Sequence, residues 1–165
     1  MKPINTDIIV IGGGSGGLSV AAGAAQMGAN VVLFEDGKMG GDCLNTGCVP
    51  SKALLAASKA AYYSAGNPEM GITAHGATVN FAATRTYIQD VITKIAPHDS
   101  VDRFEKLGVT VIRERASFAG HNKVQSRTHF VTARYIVIAT GSSPLVPPID
   151  GLDRTPFLTN ETIFS

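Results

Sequence analysis

The 165-residue chain has 44% apolar residues, 16% charged residues and a formal net charge of +1. This composition excludes a disordered tail and predicts one domain with a sizeable buried core. The near-neutral charge predicts neither nucleic acid nor an anionic membrane as a partner. No apolar run is long enough to span a bilayer and the N-terminal residues do not match a signal peptide, so we expect a cytoplasmic protein.

Residues 7–35 have the pattern of a strand–helix–strand unit. The apolar run Asp7–Ile11 predicts a strand buried on both faces, and Val31–Phe34 predicts a second one. Between them, Leu18–Met27 is rich in alanine, which is typical of a helix lying close on a sheet, and Gly28 ends it.

The turn between the first strand and the helix matches G-x-G-x-x-G at Gly12, Gly14 and Gly17. Gly12 permits a tight turn, Gly14 lets the backbone approach a pyrophosphate, and Gly17 lets the helix pack closely on the strand. Glu35, 23 positions after Gly12, is placed to accept hydrogen bonds from ribose hydroxyls. Such a motif also occurs in plain packing turns, but the flanking strands and helix favour dinucleotide binding.

The two cysteines, Cys43 and Cys48, lie five positions apart in a glycine-rich segment that leads into a predicted helix, Pro50–Ala65. The free N–H groups at the start of that helix would stabilise a thiolate at Cys48. We interpret the pair as redox-active, the alternative being two unrelated buried cysteines. No metal site is predicted, because no second Cys or His pair completes a tetrahedral ligand set.

Further α/β elements and a small antiparallel meander are predicted next. The helical stretch Phe81–Leu107 is split at Pro97, and the strand Val109–Ile112 follows it. The predicted meander strands are Ala116–Phe118, Lys123–Ser126 and His129–Val131.

A last buried strand, Arg134–Ala139, ends in Thr140 and Gly141, which places a turn at the sheet edge where ligands bind in such folds. Residues 69–79 are predicted to be irregular, and a final helix is predicted to begin at Glu161. The predicted fold class is therefore α/β, with a parallel sheet and a small antiparallel β-meander.

Three segments, Asp7–Glu35, Gly40–Leu55 and Tyr135–Pro144, together resemble the N-terminal FAD-binding region of the flavin-dependent pyridine nucleotide–disulfide oxidoreductases. The most specific motif runs Cys-Leu-Asn-Thr-Gly-Cys-Val-Pro-Ser-Lys. The resemblance covers essentially the whole chain and implies a Rossmann-like FAD-binding domain that is incomplete at its C-terminus. It also implies nicotinamide-binding and dimerisation domains outside residues 1–165, so we expect a homodimeric full-length protein and no turnover by this chain alone.

The resemblance implies a role for each residue of the cysteine motif. Cys43 would exchange with a small-molecule disulfide or dithiol substrate, Cys48 would face the isoalloxazine ring, and Lys52 would lie near the reactive edge of the flavin. Asp42 stands where many relatives carry Thr, so its contacts with FAD are left open. The other residues implied to bind FAD are Gly12, Gly14, Ser15, Gly16, Gly17, Glu35, Asp36, Gly41, Ala116, Ala139, Thr140 and Gly141.

The resemblance therefore implies that electrons pass between NAD or NADP, FAD and a Cys43–Cys48 disulfide. An activity like that of dihydrolipoamide dehydrogenase is favoured over one like mercuric reductase, because Cys-Leu-Asn and Lys-Ala-Leu-Leu suit it. Glutathione reductase is disfavoured because Arg is absent from residues 1–84. The non-enzymatic alternative is a flavin-binding or redox-sensing module without turnover.

Overall fold

The computed structural model describes residues 2–74, 76 and 78–164, with the side chain of Lys2 left out. The strands are β1 Lys2–Ile11, β2 Val31–Phe34, β3 Gly66–Asn67, β4 Ile72–Thr73, β5 Val109–Ile112, β6 Ser117–Gly120, β7 Lys123–Gln125 and β8 His129–Ile138. The helices are α1 Ser15–Gln26, α2 Gly41–Asn45, α3 Cys48–Ser64, α4 Phe81–Ile95 and α5 Val101–Lys106.

Six of the strands form one sheet in the order β5-β2-β1-β8-β7-β6. The first four are parallel, as shown by the pairing of Ile8 with Val31 on one side and with Tyr135 on the other. The strands β7 and β6 extend this sheet in antiparallel fashion. The α/β fold with a parallel sheet and a small meander is thus confirmed.

Two strands are longer than the sequence pattern predicts. The predicted meander strand His129–Val131 and the predicted buried strand Arg134–Ala139 are one continuous strand, β8. Its first half pairs with β7 and its whole length pairs with β1, which begins at Lys2 rather than at Asp7. The polar start of β1 forms a strand because its backbone groups are paired with β8, a cause that hydrophobic periodicity does not reveal.

Alternate residues of the central strands face two separate hydrophobic clusters. Val10 and Leu33 pack under α1 with Phe104 of α5, whereas Ile9 and Val32 pack on the other face of the sheet, toward the meander. Burial on both faces of β1 and β2 is therefore confirmed.

The helices confirm most of the predicted pattern. A 3-10 turn, Ala96–Asp99, separates α4 from α5 at the predicted break beside Pro97. The helix α2, which carries Cys43, was not predicted, because five residues give no periodicity. The helix predicted from Glu161 is wrong, since residues 160–164 form only one hydrogen-bonded turn.

The segment predicted to be irregular contains the end of a short 3-10 turn, Pro68–Met70, and the two-residue strand β4, which pairs with β3 just before it. Its residues 75 and 77 lie outside the described part of the chain. None of the helices in the described ranges combines the length and apolar character that a membrane span needs.

One carboxylate holds the turn between β7 and β8. Glu114 is only 16% exposed and accepts hydrogen bonds from the Thr128 N–H (3.0 Å) and hydroxyl (2.7 Å). Arg127 and His129 lie within 3.9 Å of it. Hydrogen bonding from the Ser126 and Thr128 side chains lowers the pKa of Glu114 to about 2. The ionised carboxylate therefore stabilises the fold.

The variant Glu114→Gln should lower the free energy of unfolding at pH 7. A carboxyl whose pKa is lowered on folding stabilises above its unfolded pKa of roughly 4.3, and this contribution disappears as the pH falls toward about 2. Urea unfolding at pH 7, 4 and 2.5 measures the free energy of unfolding of wild type and of Glu114→Gln. The difference between the two proteins should shrink as the pH falls. The matched control is Glu105→Gln on α5, and equal stability of wild type and Glu114→Gln at pH 7 contradicts the assignment.

Candidate functional site

The glycine turn after β1 is closed by neighbouring strands on both sides. The Gly12 N–H donates to Phe34 O (2.8 Å), and the Ala139 N–H donates to Ile11 O (2.8 Å). Gly12 has φ +109°, and a Cβ there would lie 2.2 Å from Ala139 O. Only glycine fits this position, which brings the ends of β1, β2 and β8 together.

The first turn of α1 is open toward the same edge of the sheet. Gly14 is its N-cap, and within the described residues no side chain caps it, so its first N–H groups remain available to an anion. Gly17 is buried, and a Cβ there would lie 1.9 Å from Gly12 O, so this position requires glycine for packing. Ser15 and Gly16 are exposed in that turn.

Glu35 lies against the glycine turn. Its carboxylate accepts hydrogen bonds from the Gly13 N–H (2.6 Å) and from the Gly37 N–H. Arg113 donates to the main-chain carbonyls of Glu35 (3.3 Å) and Gly37. The acidic side chain at the end of β2 is therefore held beside the glycine turn by backbone contacts.

Two adjoining cavities open along the carboxyl ends of the strands, and they share Gly12, Glu35, Thr140 and Ser143. The first, about 470 Å³, is also lined by Ile11, Phe34, Asp36, Glu114, Arg115 and Ala116. The second, about 380 Å³, is also lined by Gly14, Asp42, Ala139, Gly141, Ser142 and Glu161.

Most of the residues predicted to bind FAD meet in these cavities. They are Gly12, Gly14, Glu35, Asp36, Asp42, Ala116, Ala139, Thr140 and Gly141. Seven others line neither: Ser15, Gly16, Gly17, Gly41, Cys43, Cys48 and Lys52. Gly17 and Gly41 instead make close packing contacts, Gly17 with Gly12 and Gly41 with Gly14.

Sequence reasoning did not identify several lining residues. Ser143 follows the predicted Thr140-Gly141 turn by two positions and could have been included on that basis. Arg115 forms an ion pair with Asp36 (3.6 Å), and Glu161 reaches the second cavity from a distant part of the chain. No local pattern marks these two.

A glycine-to-glycine contact attaches the cysteine segment to the glycine turn. Gly40 and Gly41 have φ +86° and +54°, and the Gly40 N–H donates to Gly13 O (2.8 Å). A Cβ on Gly41 would lie 2.7 Å from the Cα of Gly14. This close approach sets α2, and with it Cys43, beside the first turn of α1.

A short loop joins the two cysteines and is tied to Asp42. The Thr46 N–H donates to Asp42 O (2.9 Å), and the Thr46 hydroxyl lies 3.3 Å from Asp42 Oδ1. Gly47 passes so close that a Cβ there would lie 2.9 Å from Asp42 O. Asp42 thus fastens the turn that leads from Cys43 to Cys48.

Cys43 and Cys48 are both free thiols. Cys43 is half-buried in α2, and Cys48 is exposed as the first residue of α3. The hydrogen bond with Cys48, together with burial and the negative charge of Asp99, raises the pKa of Cys43, while Lys52 acts to lower it. The two cysteine side chains therefore interact, as the members of a redox pair must.

Comparison with known proteins agrees with this geometry. The family model for pyridine nucleotide-disulphide oxidoreductases matches residues 6–164. A mercuric reductase of Lysinibacillus sphaericus is 33% identical over 96% of this chain and 29% of its own length. A dihydrolipoyl dehydrogenase of Staphylococcus aureus is 36% identical over 88% of this chain and 32% of its own length.

Among solved structures, the Cu(II) complex of the HOCl-induced flavoprotein disulfide reductase RclA from Escherichia coli has a TM-score of 0.72. It is 24% identical, over 91% of this chain and 31% of that one, and so supports the fold. The chain belongs to the pyridine nucleotide-disulphide oxidoreductase family, whose cofactors are FAD and NAD(P)H. It spans about a third of the length of these relatives.

The variant Gly17→Ala should lower the free energy of unfolding by about 1–3 kcal/mol, because its Cβ would overlap Gly12 O. The matched control is Gly16→Ala, one position earlier, where a Cβ meets nothing within 4 Å. Urea unfolding of both variants checks this. Equal losses of stability would contradict the packing role of Gly17.

The variant Lys52→Gln should slow alkylation of Cys43 at pH 8 by roughly two- to threefold, since the positive charge of Lys52 opposes the rise in the Cys43 pKa. Iodoacetamide labelling of the reduced chain with peptide mass spectrometry measures the rate at each cysteine. Lys59→Gln, exposed on the same helix, is the control. Labelling of Cys43 that is unchanged or faster in Lys52→Gln would show that Lys52 does not act on this thiol.

Proposed function

We propose that this chain is the FAD-binding part of a flavoprotein disulfide oxidoreductase in which Cys43 and Cys48 are the redox pair. The contact of Gly41 with Gly14 carries the proposal, because it joins the thiol pair to a dinucleotide-type turn. A module that merely bound flavin would have no need of two interacting free thiols at that place.

The two adjoining cavities suit a dinucleotide. The first, with Glu35 and Ala116, would take the adenosine, and the Glu35 carboxylate would accept hydrogen bonds from its ribose. The pyrophosphate would lie at the start of α1, where N–H groups carry partial positive charge. Asp42 and Glu161 in the second cavity would face hydroxyl groups or water rather than phosphate oxygens.

Bound FAD would supply two-electron exchange between a nicotinamide and the cysteine pair. The residues of this chain would do the rest by thiol–disulfide exchange. The Cys43 thiolate attacks a sulfur of the external disulfide, and one thiol leaves with a proton. Cys48 then attacks the Cys43 sulfur, releasing the second thiol and closing the Cys43–Cys48 disulfide. Two electrons thus pass from the protein dithiol to the substrate.

The comparisons support two kinds of substrate. An activity like that of dihydrolipoyl dehydrogenase is supported by 36% identity, and one like mercuric reductase by a match over more of the chain. A chain loaded with FAD and reduced with dithionite would be reoxidised by lipoamide in the first case and by Hg(II) in the second. We further propose that nicotinamide binding and homodimer formation belong to domains of the longer relatives that residues 1–165 do not cover.

The chain should bind FAD more tightly than FMN, which lacks the adenosine. The variant Glu35→Gln should reduce the ratio of the two affinities by roughly fivefold to tenfold. Flavin fluorescence titrations measure both affinities. Glu69→Gln, exposed outside the site, is the control. Equal affinity of wild type for FAD and FMN, or an equal loss for both flavins in Glu35→Gln, would contradict the placement of the adenosine.

A further inference from the structure

Cys43 also opens onto a third cavity, which shares no lining residue with the two described above. Its volume is about 360 Å³, and residues of α1, α2, α5 and the 3-10 turn before α5 line it. Gly14 and Asp42 line the second cavity, whereas their neighbours Ser15 and Cys43 line the third. The starts of α1 and α2 therefore separate the two spaces, and Cys43 is on the side away from the proposed FAD site.

The third cavity contains one negative and one positive side chain, Asp99 and Arg103. The Asp99 carboxylate lies against Gly40, and its charge contributes to the raised pKa of Cys43. Arg103 donates one hydrogen bond to His98 O (2.6 Å), which leaves its other N–H groups for a ligand. In the described part of the chain, neither Asp99 nor Arg103 has an ion-pair partner within 4.0 Å.

Ser15 and Ser19 add hydroxyl groups to this cavity, and its apolar part includes Leu18, Ala22 and Phe104. Phe104 is 1% exposed and packed in the core, and the Arg103 guanidinium lies 5.4 Å from its ring centroid. A fixed aromatic surface therefore limits where the cation of Arg103 can lie.

From this arrangement we infer that the third cavity admits a zwitterionic disulfide of the amino-acid type to Cys43, with Arg103 binding its carboxylate and Asp99 its ammonium group. The inference rests on the proposed role of Cys43 as the substrate-side thiol, and it names the substrate class for that role. An uncharged disulfide, lipoamide included, would gain nothing from either charged group, so of the disulfides open to the proposed function this cavity favours the charged ones.

The chemical step is the exchange already described. The Cys43 sulfur bonds to one sulfur of the small disulfide, the S–S bond of that disulfide breaks, and one amino-acid thiol leaves. Cys48 displaces the second amino-acid thiol from Cys43. The protein dithiol is oxidised by two electrons, the small disulfide is reduced by two, and the two thiol protons leave with the products.

Four disulfides of similar size separate the charge contributions. Cystine carries both charges, 3,3′-dithiodipropionate only the carboxylates, cystamine only the ammonium groups, and bis(2-hydroxyethyl) disulfide neither. The reduced chain, without FAD, is mixed with each in a stopped-flow instrument, and formation of the Cys43–Cys48 disulfide is followed. Each rate is divided by that of the same disulfide with N-acetylcysteine amide, which removes its intrinsic reactivity.

The normalised rate should be highest for cystine, by roughly threefold to tenfold over the neutral disulfide. Arg103→Gln should remove the advantage of carboxylates and Arg103→Lys should restore part of it, while Asp99→Asn should remove the advantage of ammonium groups. The controls Arg85→Gln and Asp102→Asn change exposed charges that do not line the cavity.

Normalised rates that agree within twofold for all four disulfides, or an Arg103→Gln variant that slows all four equally, would overturn the inference. The assay needs no flavin, so its result is independent of FAD binding. A preference for cystine in a chain that binds no FAD would overturn the proposed function alone, and FAD binding without the preference would overturn this inference alone.

Discussion

The structure depends on the close approach of two glycine-bearing loops, the turn after β1 and the segment before α2. At 2.7 Å from the Cα of Gly14, a Cβ on Gly41 cannot be accommodated, and the left-handed backbone of Gly40 and Gly41 excludes most other residues as well. This contact connects a dinucleotide-type turn to a dithiol. Cys43 consequently lies beside α1, and the buried Leu44 next to it anchors the same short helix.

Charge is distributed unevenly around this contact. The start of α1 offers partial positive charge, whereas three carboxylates, Glu35, Asp42 and Glu161, line the adjoining cavity. Glu35 is satisfied by backbone N–H groups and Asp42 by Thr46. The charges of Lys52 and Asp99 act on the pKa of Cys43 in opposite directions, Lys52 lowering it and Asp99 raising it.

The parallel sheet and the glycine turn could be predicted because each depends on local sequence: β-branched runs in Val31–Phe34, and glycines at the spacing that the turn requires. The start of β1 at Lys2 and the continuity of β8 could not be predicted, because both depend on pairing between segments distant in sequence. The same limit applies to the site. Arg103 and Glu161 enter their cavities through chain folding alone, and no pattern around either residue indicates it.

We propose that the cysteine pair and bound flavin form one redox unit. This can be tested by a dithionite titration of the chain loaded with FAD, in which flavin absorbance and thiol content are both followed. Wild type, first oxidised to the Cys43–Cys48 disulfide, should take up about twice as many electrons per bound FAD as the Cys48→Ser variant. Equal uptake by the two proteins, with the disulfide still intact after the flavin is reduced, would contradict the account.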